Sequence, residues 1–300
     1  MVSIWADLDG NCSKGLKKSY NGNKIFIGNG ICQVNRLEVF GENFIAHVGV
    51  KMTEMTYKMP SFNGILTDYI FLQNLPSIAV SQLLNPSPNS RVLDMCASPG
   101  GKTCHTAAIM KNTGKIFALD RTSKKAAKIQ ENCDRLGTQN VQVMAADSSK
   151  LVEKGIFEPE SFDYIILDPP CSGLGLRPKL KFSSVEWENL DSFAPYQRKL
   201  FMQAWELLKP GGEMSYSTCT LNPLENELLV DKMLNHLNDA ELIPVREGFM
   251  KNYCLPGLQV GSIDEDTCKR CICRFWPSHE RDSNGFFFVK FRKLLKVGDN

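Results

Sequence analysis

No stretch of this 300-residue chain stays apolar for the roughly 20 residues that a membrane-crossing helix needs, so no membrane partner is expected. The opening MVSIWADLDG has neither the basic start nor the long apolar stretch of a secretory signal. With eleven cysteines in such a chain, a reducing compartment, free thiols and a cytoplasmic location are expected, and an odd count rules out complete pairing. Net charge is also scarce. A formal +2 excludes a chain-wide polyelectrolyte binder and confines any nucleic-acid contact to a local patch. Two phosphate-binding patterns are missing. A P-loop would need glycine at position 96 ahead of Gly101, Lys102 and Thr103, but Cys96 stands there, and the dinucleotide pattern G-x-G-x-x-G does not occur. The stretch CKRCIC holds Cys268, Cys271 and Cys273 with His279 nearby. It has no second pair at finger spacing, so these read as free thiols and no metal is expected.

What is present falls into three parts. Residues 1–58 carry Gly, Asn and short β-type runs (SIW, KIFIG, FIAHVGVKM), which predict a small β-rich module. Lys14, Lys17, Lys18 and Lys24 crowd one part of it, either as a solvated loop or as an RNA-contacting edge. Residues 59–90 form a connecting segment in which Ile78, Leu83 and Leu84 suit a short helix before the turn-rich NPSPNS. Across residues 91–300 the pattern alternates: RVLDM, KIFALD, VQVMAAD, FDYIILD and EMSYST read as strands, with helices between them. One helix is closed by Gly137. A second places Leu200, Ala204, Leu207 and Leu208 on one face and stops at Pro-Gly-Gly. A third is opened by Asn222, Pro223 and Glu225 as N-cap, N1 and N3. This alternation predicts an α/β fold with a mainly parallel sheet covered on both faces, and ligands at the carboxyl ends of its strands.

Those ends carry the chemistry. The first strand runs into DMCASPGGKT, whose small residues and following helix N-terminus let a ligand approach backbone closely. The next three end on Asp120, Asp147 and Asp168. Each alone could be an Asx-turn or an N-cap. Together they describe a slot that repels polyphosphate and suits a nucleoside with ribose hydroxyls and positive charge, such as S-adenosylmethionine. Two loops, DPPCSG and STCT, add Cys171 and Cys219 at the same sheet edge. Each could be a small buried hydrophobe, or the pair could share one pocket.

DMCASPGGKT, LDPPCSG, STCT and RFWPSHERDSNGFFFVKF resemble the Sun (NOL/NOP/Sun) family of RNA cytosine-5 methyltransferases over roughly residues 65–295. KIFIGNG and GVKMTE resemble part of a PUA domain, an RNA-binding β module found in the branch of the family that acts on tRNA. The resemblance implies a Rossmann-like class I S-adenosylmethionine-dependent methyltransferase domain preceded by a partial PUA-like module, with tRNA as partner. It implies a cofactor loop of Cys96, Ala97, Ser98, Pro99, Gly100, Gly101 and Lys102, with Ser98 where the family usually has alanine. Asp120 would bind the ribose hydroxyls, Asp147 the adenine, and Asp168 would sit where cofactor meets base. Cys219 would be the nucleophile and Cys171 would release the product.

The chemistry accounts for these residue types. Carbon 5 of cytosine is a weak nucleophile until a thiolate adds at carbon 6, which is covalent catalysis. The thiolate needs a nearby cation or dipole, for which Lys102 is a candidate, and a protonated Asp168 would donate to N3 of the ring. Gly173 and Gly175 would leave room for the nucleotide. Two other functions compete. An amino-group methyltransferase would carry an aromatic ring after the two prolines, where Cys171 stands. A non-catalytic RNA-binding protein retaining the fold would not need Asp168, Cys171 and Cys219 intact.

Overall fold

The computed structural model describes residues 2–7, 21–32, 50–55, 71–176, 190–248, 250–277 and 283–295. The chain divides into two compact units, Met1–Leu66 and Thr67–Asn300. In the first, strands β1 (Val2–Asp7), β2 (Lys24–Cys32) and β3 (Val50–Met55) pair antiparallel in that order. Trp5 is 51% exposed, packs its ring 5.0 Å from that of Phe26, and has Lys24 Nζ 5.2 Å above it. Lys14, Lys17 and Lys18 lie outside the described residues.

The second unit begins with helix α1 (Leu75–Leu84), which contains the expected Ile78, Leu83 and Leu84. Strand β4 (Arg91–Asp94) follows, then α2 (Gly101–Ile109), β5 (Lys115–Asp120), α3 (Ser123–Arg135), β6 (Val141–Ala145) and β7 (Phe162–Leu167). Helix α4 (Phe193–Leu207), β8 (Leu208–Thr218), α5 (Glu227–His236) and β9 (Ala240–Leu242) come next. Two short helices, α6 (Met250–Tyr253) and α7 (Glu265–Cys271), precede the final strands β10 (Ile272–Phe275) and β11 (Phe286–Lys293).

The sheet runs β10-β11-β8-β7-β4-β5-β6, and β9 pairs with β11. Strands β4 to β8 are mutually parallel, while β9, β10 and β11 are antiparallel additions, so the sheet is mixed. Strand order reverses between β4 and β7. This is the switch point at which the loops leaving two neighbouring strands diverge and open a crevice. The central strands are buried on both faces, which explains their unbroken apolar runs.

Local rules account for most element ends. Helix α3 buries Ala126, Ile129 and Cys133 on one stripe, and Thr122 Oγ1 caps it by accepting from Lys125 N at 3.3 Å. It closes at Gly137, which takes a left-handed φ of 67°. Two expected ends move. Helix α4 stops at Leu207, not at Pro-Gly-Gly, because Leu208 already pairs with Phe162 of β7. The next matched pair is Tyr164 with Glu213, so Pro210, which cannot donate to the ladder, is absorbed in a bulge. Helix α5 starts at Glu227, and Asn222 caps the turn before it, its Oδ1 accepting from Leu224 N at 3.1 Å.

The main core lies on one face of the sheet and takes Phe117 and Leu119 from β5, while Ile116 and Ala118 join smaller clusters on the other face. Phe117, Phe157 and Phe162 pack edge to face with centroids 5.0 to 5.7 Å apart. Phe201 stacks on Trp205 and meets Phe291 of the antiparallel β11. Cys268, Cys271 and Cys273 are buried and point to different partners: the Leu258 carbonyl, the Leu242 carbonyl and the Cys254 thiol. Among the described residues no cluster could hold a metal ion, and His279 lies outside them.

Candidate active site

The loops after β4 and β7 flank the switch point, and the end of β8 completes the edge. Two cavities open there. The larger, about 490 Å³, is lined by Asp120, Arg121, Ala146, Pro169, Cys171 and Tyr196 among others. The smaller, about 290 Å³, is lined by Gln73, Asp94, Lys102, Asn284 and Phe286 among others. Cys96, Ser98, Asp168, Leu176 and Cys219 line both, so Asp168 and Cys219 stand in the wall between them, with Lys102 on the smaller side and Cys171 on the larger.

Strand geometry explains that wall. Side chains two apart on β8 share a face, and so Ser217 and Cys219 both turn toward the β7 loop. Ser217 Oγ donates to Asp168 Oδ1 at 2.8 Å, and Lys102 Nζ approaches Asp168 Oδ2 at 2.6 Å. Both Asp168 oxygens therefore accept hydrogen bonds. The carboxyl held strongly toward its acid form is Asp94. Burial raises it to about 7 against the opposing hydrogen bond from Thr103, and its Oδ1 has no hydrogen-bond partner among the described residues.

The structure brings Cys171 and Cys219 together, with Sγ atoms 3.2 Å apart and both side chains half-buried. The Cys219 thiol is lowered, first by a hydrogen bond from Cys171 and also by the Lys102 ammonium, against burial and Asp168. The Cys171 thiol is raised, first by its hydrogen bond to Cys219 and then by burial. Lys102 acts on Cys219, so of the two thiols Cys219 is the one whose thiolate is favoured and Cys171 the one that holds its proton more tightly. Lys102 remains charged: burial lowers its pKa, but the Asp168 charge and hydrogen bond outweigh this and raise it.

The remaining site residues separate. Asp120, 7% exposed, accepts from Arg121 N at 2.7 Å and Ser98 N at 3.4 Å and forms an ion pair with Lys125 Nζ at 3.3 Å, tying the β4 loop to the end of β5. Asp147 caps the short turn Ser148–Lys150, its Oδ1 accepting from Ser149 N at 3.0 Å and Ser149 Oγ at 2.8 Å, and its charge acts on Tyr196 in the lining of the larger cavity. In the β4 loop, Ala97, Pro99, Gly101 and Lys102 face the smaller cavity. Sequence reasoning missed Ser217 and Asp94. The period-2 face shared with Cys219 signals Ser217; for Asp94 the only signal is an acid ending an apolar strand.

A family model described as 16S rRNA methyltransferase RsmB/F matches residues 81–292. The human tRNA (cytosine(72)-C(5))-methyltransferase NSUN6 is 44% identical over 256 residues, covering 81% of this chain and 54% of that protein. The Pyrococcus horikoshii tRNA (cytosine(72)-C(5))-methyltransferase is 33% identical over 276 residues, covering 91% of this chain and 65% of that one. The crystal structure of NSun6 from Pyrococcus horikoshii with SFG matches with a TM-score of 0.70 at 32% identity, over 91% of this chain and 66% of that chain. The chain thus spans about half the length of the human relative. With the family model covering both strand-end loops and both cysteines, the chain belongs to the RsmB/F methyltransferase family, the Sun family that its loops resemble.

Proposed function

We propose that this chain methylates carbon 5 of cytosine in RNA, with tRNA as the substrate class and S-adenosylmethionine as methyl donor. The observation that carries the reading is the 3.2 Å thiol pair beside the Lys102–Asp168 ion pair, at the wall between two cavities. The larger cavity fits the cofactor class: Asp120 and Asp168 face a crevice at the strand ends, which repels polyphosphate and suits a cationic nucleoside. When bound, the cofactor supplies an electrophilic methyl group on a sulfonium.

The chain's own residues do the rest. Cys219 adds as thiolate to carbon 6, and the displaced ring electrons make carbon 5 the nucleophile toward the methyl group. Lys102 stabilises negative charge developing on the base, and Asp168 holds Lys102 in place. Once Cys219 is bonded to carbon, the charge and hydrogen bond that raised Cys171 are gone, and Cys171 can release its proton to solvent through the larger cavity to become a thiolate. That thiolate takes the carbon-5 proton. The freed electron pair restores the 5,6 double bond and expels Cys219. The β1–β3 unit supports a PUA-like RNA-binding role for residues 1–58, on the exposed Trp5 ring with Lys24 above it, a surface on which a base can stack.

The test uses the full chain, unmodified tRNA transcripts and labelled cofactor. Cys219→Ser should abolish methyl transfer and keep cofactor binding; undiminished transfer overturns the nucleophile assignment. Cys171→Ala should leave a protein–RNA adduct on a denaturing gel; reduced turnover without adduct overturns the release assignment.

A further inference from the structure

Glu225 and Asn226, adjacent in sequence and both 0% exposed, reach the two cysteine loops separately. Glu225 Oε2 accepts from Ser172 N at 3.0 Å and from Gln197 Nε2 at 2.8 Å, and its Oε1 accepts from Asn222 Nδ2 at 3.0 Å. Gln197 Nε2 spends its other hydrogen on the Pro170 carbonyl at 3.0 Å. The peptide groups on both sides of Cys171 therefore end on one Gln197–Glu225 couple. Tyr216 OH anchors that couple from below by donating to the Glu225 main-chain carbonyl at 2.7 Å.

Asn226 does the same for the other thiol. Its Oδ1 accepts from Thr218 Oγ1 at 2.6 Å, and its Nδ2 donates to the Thr220 carbonyl at 3.1 Å, so it brackets Cys219 on both sides. Burying a carboxylate and an amide is costly unless their hydrogen bonds are met, and here most of those bonds fall on residues next to the two thiols. The loops touch each other directly as well, through Ser172 Oγ and Thr220 Oγ1 at 2.7 Å.

We infer that the Glu225–Asn226 dipeptide is the positioning element of the site, with Glu225, through Gln197, setting Cys171 for release and Asn226 setting Cys219 for attack. This rests on the roles proposed above for the two cysteines. It gives the two neighbours opposite kinetic signatures, which a merely structural role would not.

Single-turnover methyl transfer and adduct fraction on a denaturing gel, with unmodified tRNA transcripts and labelled cofactor, separate them. Misplacing a reacting group by about 1 Å costs on the order of a hundredfold. Glu225→Ala and Gln197→Met should therefore accumulate adduct as Cys171→Ala does, while the first methyl transfer stays within about tenfold of wild type. Glu225→Gln should clear the adduct, because its amide oxygen can still accept from Ser172 and Gln197. Asn226→Ala should slow the first transfer at least about tenfold and leave no adduct. Cofactor binding and Tm report folding, and if Glu225→Ala does not fold, Gln197→Met carries the same prediction. The inference is overturned if Cys171→Ala traps adduct but Glu225→Ala and Gln197→Met do not, or if the Glu225 and Asn226 variants lose both steps in parallel. If Cys171→Ala itself traps none, the release reading fails, and the Glu225 half falls with it.

Discussion

Lys102 Nζ lies 2.6 Å from Asp168 Oδ2, and Ser217 Oγ holds the other Asp168 oxygen at 2.8 Å. The carboxylate thus acts as a clamp that keeps a half-buried cation beside Cys219. Replacing Lys102 with Met removes the cation and leaves the Asp168 charge uncompensated. Both changes raise the Cys219 thiol. The acidic limb of the methyl-transfer pH profile should move to higher pH, with methyl transfer near neutrality falling roughly tenfold or more. Iodoacetamide alkylation of Cys219 against pH measures the same shift without substrate. Superimposable profiles would show that Lys102 does not set the thiol.

Gly175 explains a second contact at this edge. Its N–H donates to the Cys219 carbonyl at 3.0 Å, and its own carbonyl accepts from Gly285 N at 2.8 Å. A Cβ at Gly175 would lie 2.0 Å from the Gly285 carbonyl oxygen. The glycine is there because two backbones meet, whereas the sequence suggested room for a nucleotide. Gly175→Ala should push the loops apart and cost about 1–3 kcal/mol, a few degrees in Tm, with methyl transfer falling alongside. An unchanged Tm would mean that the approach is loose in solution.

The parts of the site that were legible in sequence are those that follow from one strand at a time. Apolar runs ending on Asp120 and Asp168 announce parallel strands with ligand groups at their tips, and two cysteines just past strand ends land on one edge. What depends on long-range packing was hidden. Asp147 obeys the same rule as the other acids, yet it lies two residues beyond β6 and caps its own turn. Asn222, Pro223 and Glu225 match a helix start so well that the local pattern masks Glu225's partner 53 positions away at Ser172. The run FFFVKF is buried at every position but the half-buried Lys290, without period-2 alternation, and gives no sign that it enters the sheet antiparallel.

Asp94 makes stability depend on pH in a direction opposite to most carboxylates. Its side chain is 1% exposed, and burial raises it from an ordinary value of 3.8 to about 7. The folded state therefore binds this proton more tightly than the unfolded chain does. The resulting stabilisation is complete below about pH 4 and is lost as pH rises through about 7, amounting to up to about 4 kcal/mol across that window. Asp94→Asn keeps an oxygen to accept from Thr103 Oγ1, now at 2.7 Å from Asp94 Oδ2, but carries no titrating proton. The expected outcome is a difference in stability between the two proteins that swings toward the variant from pH 5 to pH 8. Urea melts at intervals across that range measure it. A constant difference at every pH would show that Asp94 titrates alike in both states and that Lys102 compensates its charge within the fold.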